Sequence, residues 1–247
     1  MTGEDPEKAP WAAEITPDIA ALDRLVSTCR ACPRLVAWRE EVAVVKRAAF
    51  RDEEYWGRPV PGFGPADARI LVVGLAPAAN GGNRTGRMFT GDPSGNVLFG
   101  ALHAVESATG AHPVSLDDGI ELLDTRLTAP VHCAPPENKP TPEERRRCAP
   151  FLSRELELLG PTLRVIVVLG GFGWQALFTV LSAGDWNVPR PRPRFTHGAQ
   201  VVITHPDGRS ITVLGSYHVS QRNTATGKVS PAMIEDILLR AKTIAES

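Results

Sequence analysis

Four side chains of this sequence could together hold a flat heterocycle and cleave a bond to it. They are an aromatic ring, a carboxylate, an amide and an imidazole, at Phe89, Asp92, Asn138 and His218. The ring can stack on a planar ligand, and the amide can read the donors and acceptors along its edge. The carboxylate and the imidazole can assist bond cleavage. Because the four residues lie far apart in the chain, a common site is a hypothesis at this point.

Each of the four residues also has a simpler explanation. Asp92 precedes Pro93, so it can serve only as the N-cap of a helix. His218 can be a surface histidine, Phe89 a core residue and Asn138 a turn residue. The residues by themselves leave these alternatives open.

The segments before these residues predict the strands that would position them. Residues 70–73 are an apolar run, and a long glycine-rich loop follows it until a helix begins at Asp92–Pro93. A second strand is predicted over residues 124–131. The last strand, residues 211–214, leads into the loop of His218. Open α/β sheets bind ligands where parallel strands release their loops, so we expect these loops to converge.

The order of strands and helices predicts the fold class. Apolar strands, including a fully apolar one at 164–169, alternate with helical segments, which indicates a three-layer α/β/α architecture around a parallel sheet. The turn at 205–210 between two apolar runs is typical of a hairpin. Residues 1–16 are predicted to be a flexible tail, and residues 17–247 a single domain.

Composition and charge limit the possible function classes. Of 247 residues, 43% are hydrophobic, and the net charge of −1 argues against a globally basic nucleic-acid binder. Arginines nevertheless concentrate in loops, and Pro189–Phe195 alternates proline with arginine, which can track phosphates or be a solvated loop. No apolar segment approaches the ~20 residues that span a bilayer. The acidic N-terminus shows no signal-peptide pattern, so we expect a cytoplasmic protein.

The glycine-rich loop is a weak candidate for a nucleotide phosphate site. Gly81–Gly86 fits the spacing G-x-x-x-x-G, but Arg87 and Met88 follow it. A phosphate-binding loop of this class has a lysine and then a hydroxyl residue at those places. A nucleotide-phosphate enzyme is therefore poorly supported.

The cysteines favour a metal centre. Cys29 and Cys32 form a C-x-x-C pair before a proline, and Cys133 and Cys148 are separated by fourteen residues. Four cysteines in a chain without a secretion signal are unlike a disulfide framework. They suit zinc or an iron-sulfur cluster, with unligated core cysteines as the alternative. Residue spacing does not decide between iron and zinc.

Two stretches resemble the signature motifs of one enzyme family. Residues 74–92, GLAPAANGGNRTGRMFTGD, and residues 216–228, SYHVSQRNTATGK, are similar to the two motifs of the type-5 uracil-DNA glycosylases, the B branch of the bacterial and archaeal iron-sulfur glycosylases. The cysteine pattern agrees with the same family. The likeness covers nearly the whole chain after the tail.

The resemblance implies a fold, a reaction and a cofactor. The fold would be that of uracil-DNA glycosylases, with a four-stranded parallel sheet between helices. The reaction would be hydrolysis of the N-glycosidic bond of uracil flipped out of DNA, which leaves an abasic site. The cofactor would be one four-iron, four-sulfur cluster with a structural role. Its ligands would be Cys29, Cys32, Cys133 and Cys148.

The resemblance also implies the role of each motif residue. The catalytic residues would be Asp92, which orients water, and His218. The residues expected to bind the substrate are Gly74, Ala76, Phe89, Ala129 and Asn138. The residues expected to contact DNA are Arg84, Arg87, Gln221 and Arg222.

Three positions bear on how closely the chain follows its relatives. Asn80 stands where they often have histidine, and Val219 where they often have proline. Neither change removes a proposed catalytic group. Ala129 occupies the place of an asparagine that reads uracil in many uracil-specific relatives, as in the type-5 branch. This implies a looser pocket that also accepts hypoxanthine or hydroxymethyluracil.

The expected partner is damaged DNA, double-stranded in the first place and single-stranded as an open alternative. We expect a monomer that does not bind membranes. A non-catalytic iron-sulfur protein that binds DNA or senses redox state is the alternative function. It would explain the cysteines and the arginine loops, but it would leave both long motifs without a role.

Overall fold

The computed structural model describes residues 7–247, and its centre is a sheet of five strands. The strands are β1 (Ile70–Val73), β2 (Thr125–Thr128), β3 (Val165–Leu169), β4 (Gln200–Thr204) and β5 (Ser210–Ser216). Their order is β2-β1-β3-β5-β4, and all pairs are parallel except β4 with β5. Four strands are therefore parallel, as expected. The sheet has one strand more than the four implied, because the predicted hairpin turn brings β4 back antiparallel along its edge.

Nine α-helices of the described residues surround the sheet. They are α1 (Ala9–Ala12), α2 (Ile19–Thr28), α3 (Pro33–Val45), α4 (Gly82–Thr85), α5 (Pro93–Ala104), α6 (Pro142–Leu159), α7 (Gly171–Ala183), α8 (Gln221–Ala225) and α9 (Pro231–Glu246). Short 3-10 turns cover Ala13–Ile15, Ala48–Phe50 and Pro136–Asn138. In the described part of the chain, none of the helices is long and apolar enough to cross a membrane.

The two faces of the sheet are covered by different helices. Ile70 and Val72 of β1 pack on the side of α5 and α9, whereas Leu71 and Val73 pack on the side of α6 and α7. Every residue of β1, β2 and β3 is buried, as parallel strands between two helical layers require. The three-layer α/β/α architecture is confirmed.

The predicted flexible tail, residues 1–16, needs a correction. Residues 1–6 lie outside the described residues. From Ala9 onward the chain forms α1 and a 3-10 turn, and Ala9 and Ala13 are buried in a cluster with Leu22 of α2. This segment also contacts α6. Its acidic residues and prolines predicted a solvated tail, but its alanines are small enough to let α1 lie close against the neighbouring helices.

A buried arginine ties the edge strand β2 to two helices. Arg126 is 1% exposed, and its Nε donates to Glu155 of α6 at 2.6 Å. Its Nη2 donates to Asp23 of α2 at 2.6 Å, and its Nη1 donates to the carbonyl of Gly64 at 2.9 Å. Gly62 lies directly over the guanidinium, where any side chain would overlap it. The N-terminal helices are thus fixed to the sheet by a fully bonded buried cation.

Replacement of Arg126 by methionine should strongly destabilise the protein. Glu155 is almost fully buried and would lose its ionic partner. Breaking one side of a buried ion pair costs about 3–5 kcal/mol, and we expect the free energy of unfolding in urea to fall by that amount.

Arg164→Met is the matched control for this measurement. Arg164 is exposed and bonds only to carbonyls of its own loop, so its loss should change the free energy of unfolding by less than about 0.5 kcal/mol. Equal stability of the two variants would show that the network contributes nothing.

Candidate active site

Residues from separate loops meet in one cavity of about 300 Å³ at the carboxyl ends of the parallel strands. The predicted site residues in its wall are Ala76, Phe89, Asp92, Ala129, Asn138 and His218. The loops that follow β1, β2, β3 and β5 all contribute to it. The structure therefore brings together the aromatic, the acid, the amide and the imidazole that the sequence places far apart.

Phe89 is held in place by two glycines. Its φ is +52°, a conformation that non-glycine residues rarely adopt. A Cβ atom on Gly74 would lie 2.6 Å from Cζ of the ring, and one on Gly95 would overlap the Phe89 carbonyl oxygen. Gly74 therefore lies behind the ring and is not itself a wall of the cavity. The ring centroid is 6.5 Å from that of His218, with 35° between the planes.

Asp92 divides its two carboxylate oxygens between two tasks. Oδ1 accepts the backbone N–H groups of Ser94 at 2.7 Å and Gly95 at 3.1 Å, which is an N-cap of α5. Oδ2 accepts no backbone N–H group among the described residues, and only a glycine fits beside it, at Gly81. Burial raises the pKa of Asp92, although the N–H donors oppose the shift. The simple explanation as a cap is thus correct, and it leaves one oxygen available in the cavity.

His218 follows β5 and presents an imidazole without a protein partner. Neither ring nitrogen has a hydrogen-bond partner in the described part of the chain. Burial lowers the pKa of His218 to about 4, so the ring is neutral at physiological pH. The Asn223 side chain donates to the His218 carbonyl at 2.8 Å and fixes the loop. Gly170, at φ +91°, allows the loop after β3 to come close to the His218 side chain.

Asn138 lies at the mouth of the cavity. Its side chain is exposed but contributes to the wall, and its φ is +56°, which asparagine tolerates better than most residues. Its N–H donates to the Pro135 carbonyl at 3.2 Å. The amide group itself has no protein partner among the described residues. Asn138 is thus both a turn residue and a candidate ligand.

Arg84 and Arg87 do not lie at the surface, so their predicted contact with DNA is wrong for this conformation. Arg87 is 1% exposed; its guanidinium donates to Asp118 at 2.7 and 2.5 Å and to Thr90 at 2.8 Å. Arg84 is also buried and forms an ion pair with Glu53. Both cations stabilise the loop from within. A charged residue in a glycine-rich loop is typical of a phosphate contact, and nothing in the motif itself indicates these acidic partners.

Gln221 and Arg222 occupy a different position. Both are exposed in the first turn of α8, beside Ser220, which lines the cavity and caps the helix. They are therefore accessible to a large partner at the cavity mouth. Their contact with DNA stays a prediction.

The glycine-rich segment is not a phosphate-binding loop. Within Gly81–Gly86, residues Gly82–Thr85 form the short helix α4, and the two outer glycines are its caps. The N–H groups of Arg84, Thr85 and Gly86 donate to carbonyls of the same segment at 2.8 to 2.9 Å. These groups are consequently not available to cradle a phosphate.

Several wall residues were not predicted. Gly170, Gly171 and Phe172 follow β3 and line the cavity, as does Ser220. No site residue is predicted from the sequence in this turn after β3. The rule that ligands bind at the carboxyl ends of parallel strands would have identified it.

The four cysteines line a second, smaller cavity between α2, α3, α6 and the loop after β2. All four thiols are free. Burial raises the pKa of every one, to about 11 for Cys32 and Cys133, and neighbouring thiols raise it further. Within residues 7–247, no group of three or more His, Cys, Asp or Glu side chains surrounds a single-ion site.

Comparison with known proteins defines the class. A family model described as the uracil DNA glycosylase superfamily matches residues 61–242. This match covers well over half of the chain, and it includes every strand and the whole cavity wall. The chain belongs to the uracil-DNA glycosylase superfamily.

Individual relatives define the branch. A type-5 uracil-DNA glycosylase of Mycobacterium tuberculosis (strain CDC 1551 / Oshkosh) is 52% identical, over 92% of this chain and 82% of the relative. Type-5 enzymes of Mycobacterium leprae and Thermus thermophilus are each 49% identical over 92% of this chain, and over 96% and 99% of their own lengths. The family resemblance carried by the two motifs is confirmed, and the chain is a type-5 member.

Proposed function

We propose that this chain is a monofunctional DNA glycosylase of base-excision repair that hydrolyses the N-glycosidic bond of uracil in DNA. One observation carries the proposal: Asp92 and His218 present unpartnered polar atoms to the same cavity, which Phe89 bounds. Among the described residues of that wall there is no lysine. A Schiff base and strand cleavage are therefore not part of the proposal.

The base must leave the helix before it can reach this cavity. A stacked base is inaccessible, so the nucleotide is flipped out and its base enters the slot beside Phe89. The C1′–N bond then breaks, and its electron pair goes to the base while positive charge grows on the sugar. A water oxygen bonds to C1′, and the proton of that water is taken up by the protein.

His218 stabilises the departing base. Because burial keeps its ring neutral, one ring nitrogen carries a hydrogen and donates it to the oxygen that gains negative charge. A neutral His218 ring suits this role, since it can donate this hydrogen bond without first losing a proton. The ring has no competing partner in the described chain, so its donor is available.

Asp92 acts on the opposite end of the breaking bond. Oδ2 positions the attacking water, accepts its proton and offsets the charge on the sugar. The bonds from Ser94 and Gly95 to Oδ1 fix the carboxylate plane, because they belong to the start of α5. Its orientation is therefore set before any substrate binds.

The range of substrates extends beyond uracil in this proposal. Ala129 lines the cavity at the end of β2, and its methyl group offers no hydrogen bond that would select uracil. Hypoxanthine and hydroxymethyluracil are consequently expected substrates. Asn138 at the mouth is the amide that can still contact the edge of the base.

We further propose a four-iron, four-sulfur cluster held by Cys29, Cys32, Cys133 and Cys148. Thiolates are the ligands that such clusters prefer, and the four thiols share one buried cavity. The fit is supported by Arg39, a buried guanidinium whose Nη1 donates to Cys133 Sγ at 2.9 Å and whose Nε has no partner. A buried guanidinium without a bonded carboxylate requires another anionic group nearby. When bound, the cluster would cross-link the elements that carry the four cysteines.

Damaged DNA is the expected partner, in which Gln221 and Arg222 contact the strand near the flipped nucleotide. Function as a monomer in the cytoplasm is part of the same proposal. The alternative of a non-catalytic iron-sulfur protein has no support of its own in the structure. It leaves the shared cavity of Phe89, Asp92 and His218 without a purpose.

Replacement of Asp92 should separate its two tasks. Asp92→Asn keeps an acceptor for Ser94 and Gly95, so the free energy of unfolding should change by less than about 0.5 kcal/mol, whereas Asp92→Ala should lose about 1 kcal/mol. Both variants should excise uracil about 10²–10⁴-fold more slowly in single-turnover assays. Wild-type excision by Asp92→Asn would refute the catalytic role, and equal stability of the two variants would refute the cap.

The pH dependence gives an independent check on Asp92. The ionised carboxylate is the active form, so excision is lost as pH falls through the raised pKa of Asp92. This acid limb should lie above the pH at which an ordinary aspartate titrates, about 3.9. The residual activity of Asp92→Asn should lack the limb.

Replacement of His218 by alanine should slow uracil excision by about 10²–10³-fold while binding to abasic DNA is retained. Because the pKa of His218 is about 4, the wild-type rate should show no histidine inflection near pH 6.5. His112→Ala is the control, since His112 is exposed in a loop away from the cavity. Excision by His218→Ala at the control rate would contradict the role.

A further inference from the structure

Four cations lie close to residues of the active-site cavity wall, in space or along the chain, and we call them the pocket rim: Arg145, Arg194, Arg222 and Lys228. Two of the four, Arg145 and Lys228, lie over aromatic rings, and Arg194 precedes an aromatic residue in the sequence. The Arg145 guanidinium is 5.7 Å from the ring centre of Phe172, which lines the cavity. Lys228 Nζ is 4.8 Å from the ring centre of Tyr217, the residue before His218. Arg194 precedes Phe195, which lies against Gly171 of the wall.

The pocket rim differs from the other basic positions on α6. Arg146 and Arg147 both form ion pairs with Glu143, and Arg154 pairs with Glu157. Arg145 has no carboxylate partner among residues 7–247, although it lies on the same helix. Its guanidinium lies over the ring of Phe172, a residue of the cavity wall.

The other members of the pocket rim also lack acidic partners in the described part of the chain. Arg194, Arg222 and Lys228 are exposed, and none of them forms an ion pair there. The net charge of the whole chain is −1, so unpaired positive charge at this place is not a general property of the surface. Cations left unpaired around a cavity point to an anionic partner that arrives with the ligand.

We propose that the pocket rim binds the phosphates on both sides of the flipped nucleotide. This inference rests on the proposed function and deepens it, because it replaces the buried Arg84 and Arg87 with accessible cations. Aromatic contacts hold Arg145 and Lys228 in place through cation–π attraction, which reduces the ordering needed when DNA binds. Phosphate contacts position the strand without reading its sequence.

The test is the salt dependence of binding to a duplex with one abasic site. The double variant Arg145→Gln/Lys228→Gln should bind more weakly, and the slope of log K against log salt should become shallower by about 2. The loss should be the same for duplexes of different sequence.

Arg24→Gln is the matched control, since Arg24 is exposed and without an acidic partner on α2, which does not line the cavity. It should leave the salt slope unchanged. A double variant with the wild-type slope, or with the same change as Arg24→Gln, would overturn the role of the pocket rim. A wild-type protein that shows rim-dependent binding but excises no uracil would instead overturn the proposed function.

A second observation carries an independent inference about the cysteine cavity. Arg39 of α3 is 1% exposed, and its Nη2 donates to the Cys29 carbonyl at 3.1 Å. The nearest carboxylate, Glu40, is 4.0 Å away and is already bonded to Arg30. Its Nε has no partner at all among the described residues. A buried guanidinium without a close carboxylate is unstable unless another anion compensates it.

We infer that Arg39 is the counter-cation of the proposed cluster and a positioning residue for Cys133. Its hydrogen bond to Cys133 Sγ and its charge favour the state of the cluster that carries more negative charge. The hydrogen bond and the positive charge both raise the reduction potential of the cluster. This inference depends on the presence of the cluster.

The test compares Arg39→Met with Arg147→Met by iron and sulfide content and by the midpoint potential of purified protein. Arg147 also lines the cavity, but it pairs with Glu143 and donates to the Ala31 carbonyl, and among the described residues it makes no hydrogen bond to sulfur. Arg39→Met should lose iron, or keep it at a lower potential than the control, and Arg39→Lys should recover part of the difference. An intact cluster with an unchanged potential in Arg39→Met would overturn the role. Wild-type protein without iron and sulfide would overturn the cluster itself.

Discussion

The active-site loop depends on one buried ion pair, between Arg87 and Asp118. The guanidinium makes two bonds to the carboxylate and a third to Thr90, and it lies over the rings of Phe63 and Phe99. Burial alone would raise the pKa of Asp118, but the hydrogen bonds from Arg87 hold it well below its usual range. Loss of Asp118 would leave the buried Arg87 without its charge partner, so the ion pair favours the conformation of the loop in which it forms.

The Arg87–Asp118 ion pair explains how Phe89, a residue with a strained backbone, can form a fixed part of the cavity wall. Phe89 is two residues from Arg87, and its positive φ would be unfavourable in a free loop. The ion pair on one side and the helix start at Asp92 on the other leave the ring only the space above Gly74. The same fixed backbone keeps Asp92 in the cavity wall, with Oδ2 beside Gly81. Strain at Phe89 is therefore sustained by stronger interactions around it.

Sequence patterns identified the parts of the fold that depend on local rules. Apolar runs located β1 and β3, and the Asp92–Pro93 pair located the start of α5. The convergence of the loops followed from parallel topology. The burial of Arg84 and Arg87 could not be predicted from local patterns, because their acidic partners lie outside the motif. Whether a charge is buried depends on tertiary packing, which residue types within a loop do not reveal.

The cysteine cavity and the active site are joined by shared elements, which gives the cysteines a mechanical role in the site. The loop after β2 carries Cys133 and, five residues later, Asn138 at the cavity mouth. Helix α6 carries both Cys148 and Arg145, three residues apart. Packing of the two cysteines in one buried cavity therefore also constrains the positions of Asn138 and Arg145. A loop that begins at a fixed point can hold its side chains with less loss of entropy when the ligand binds.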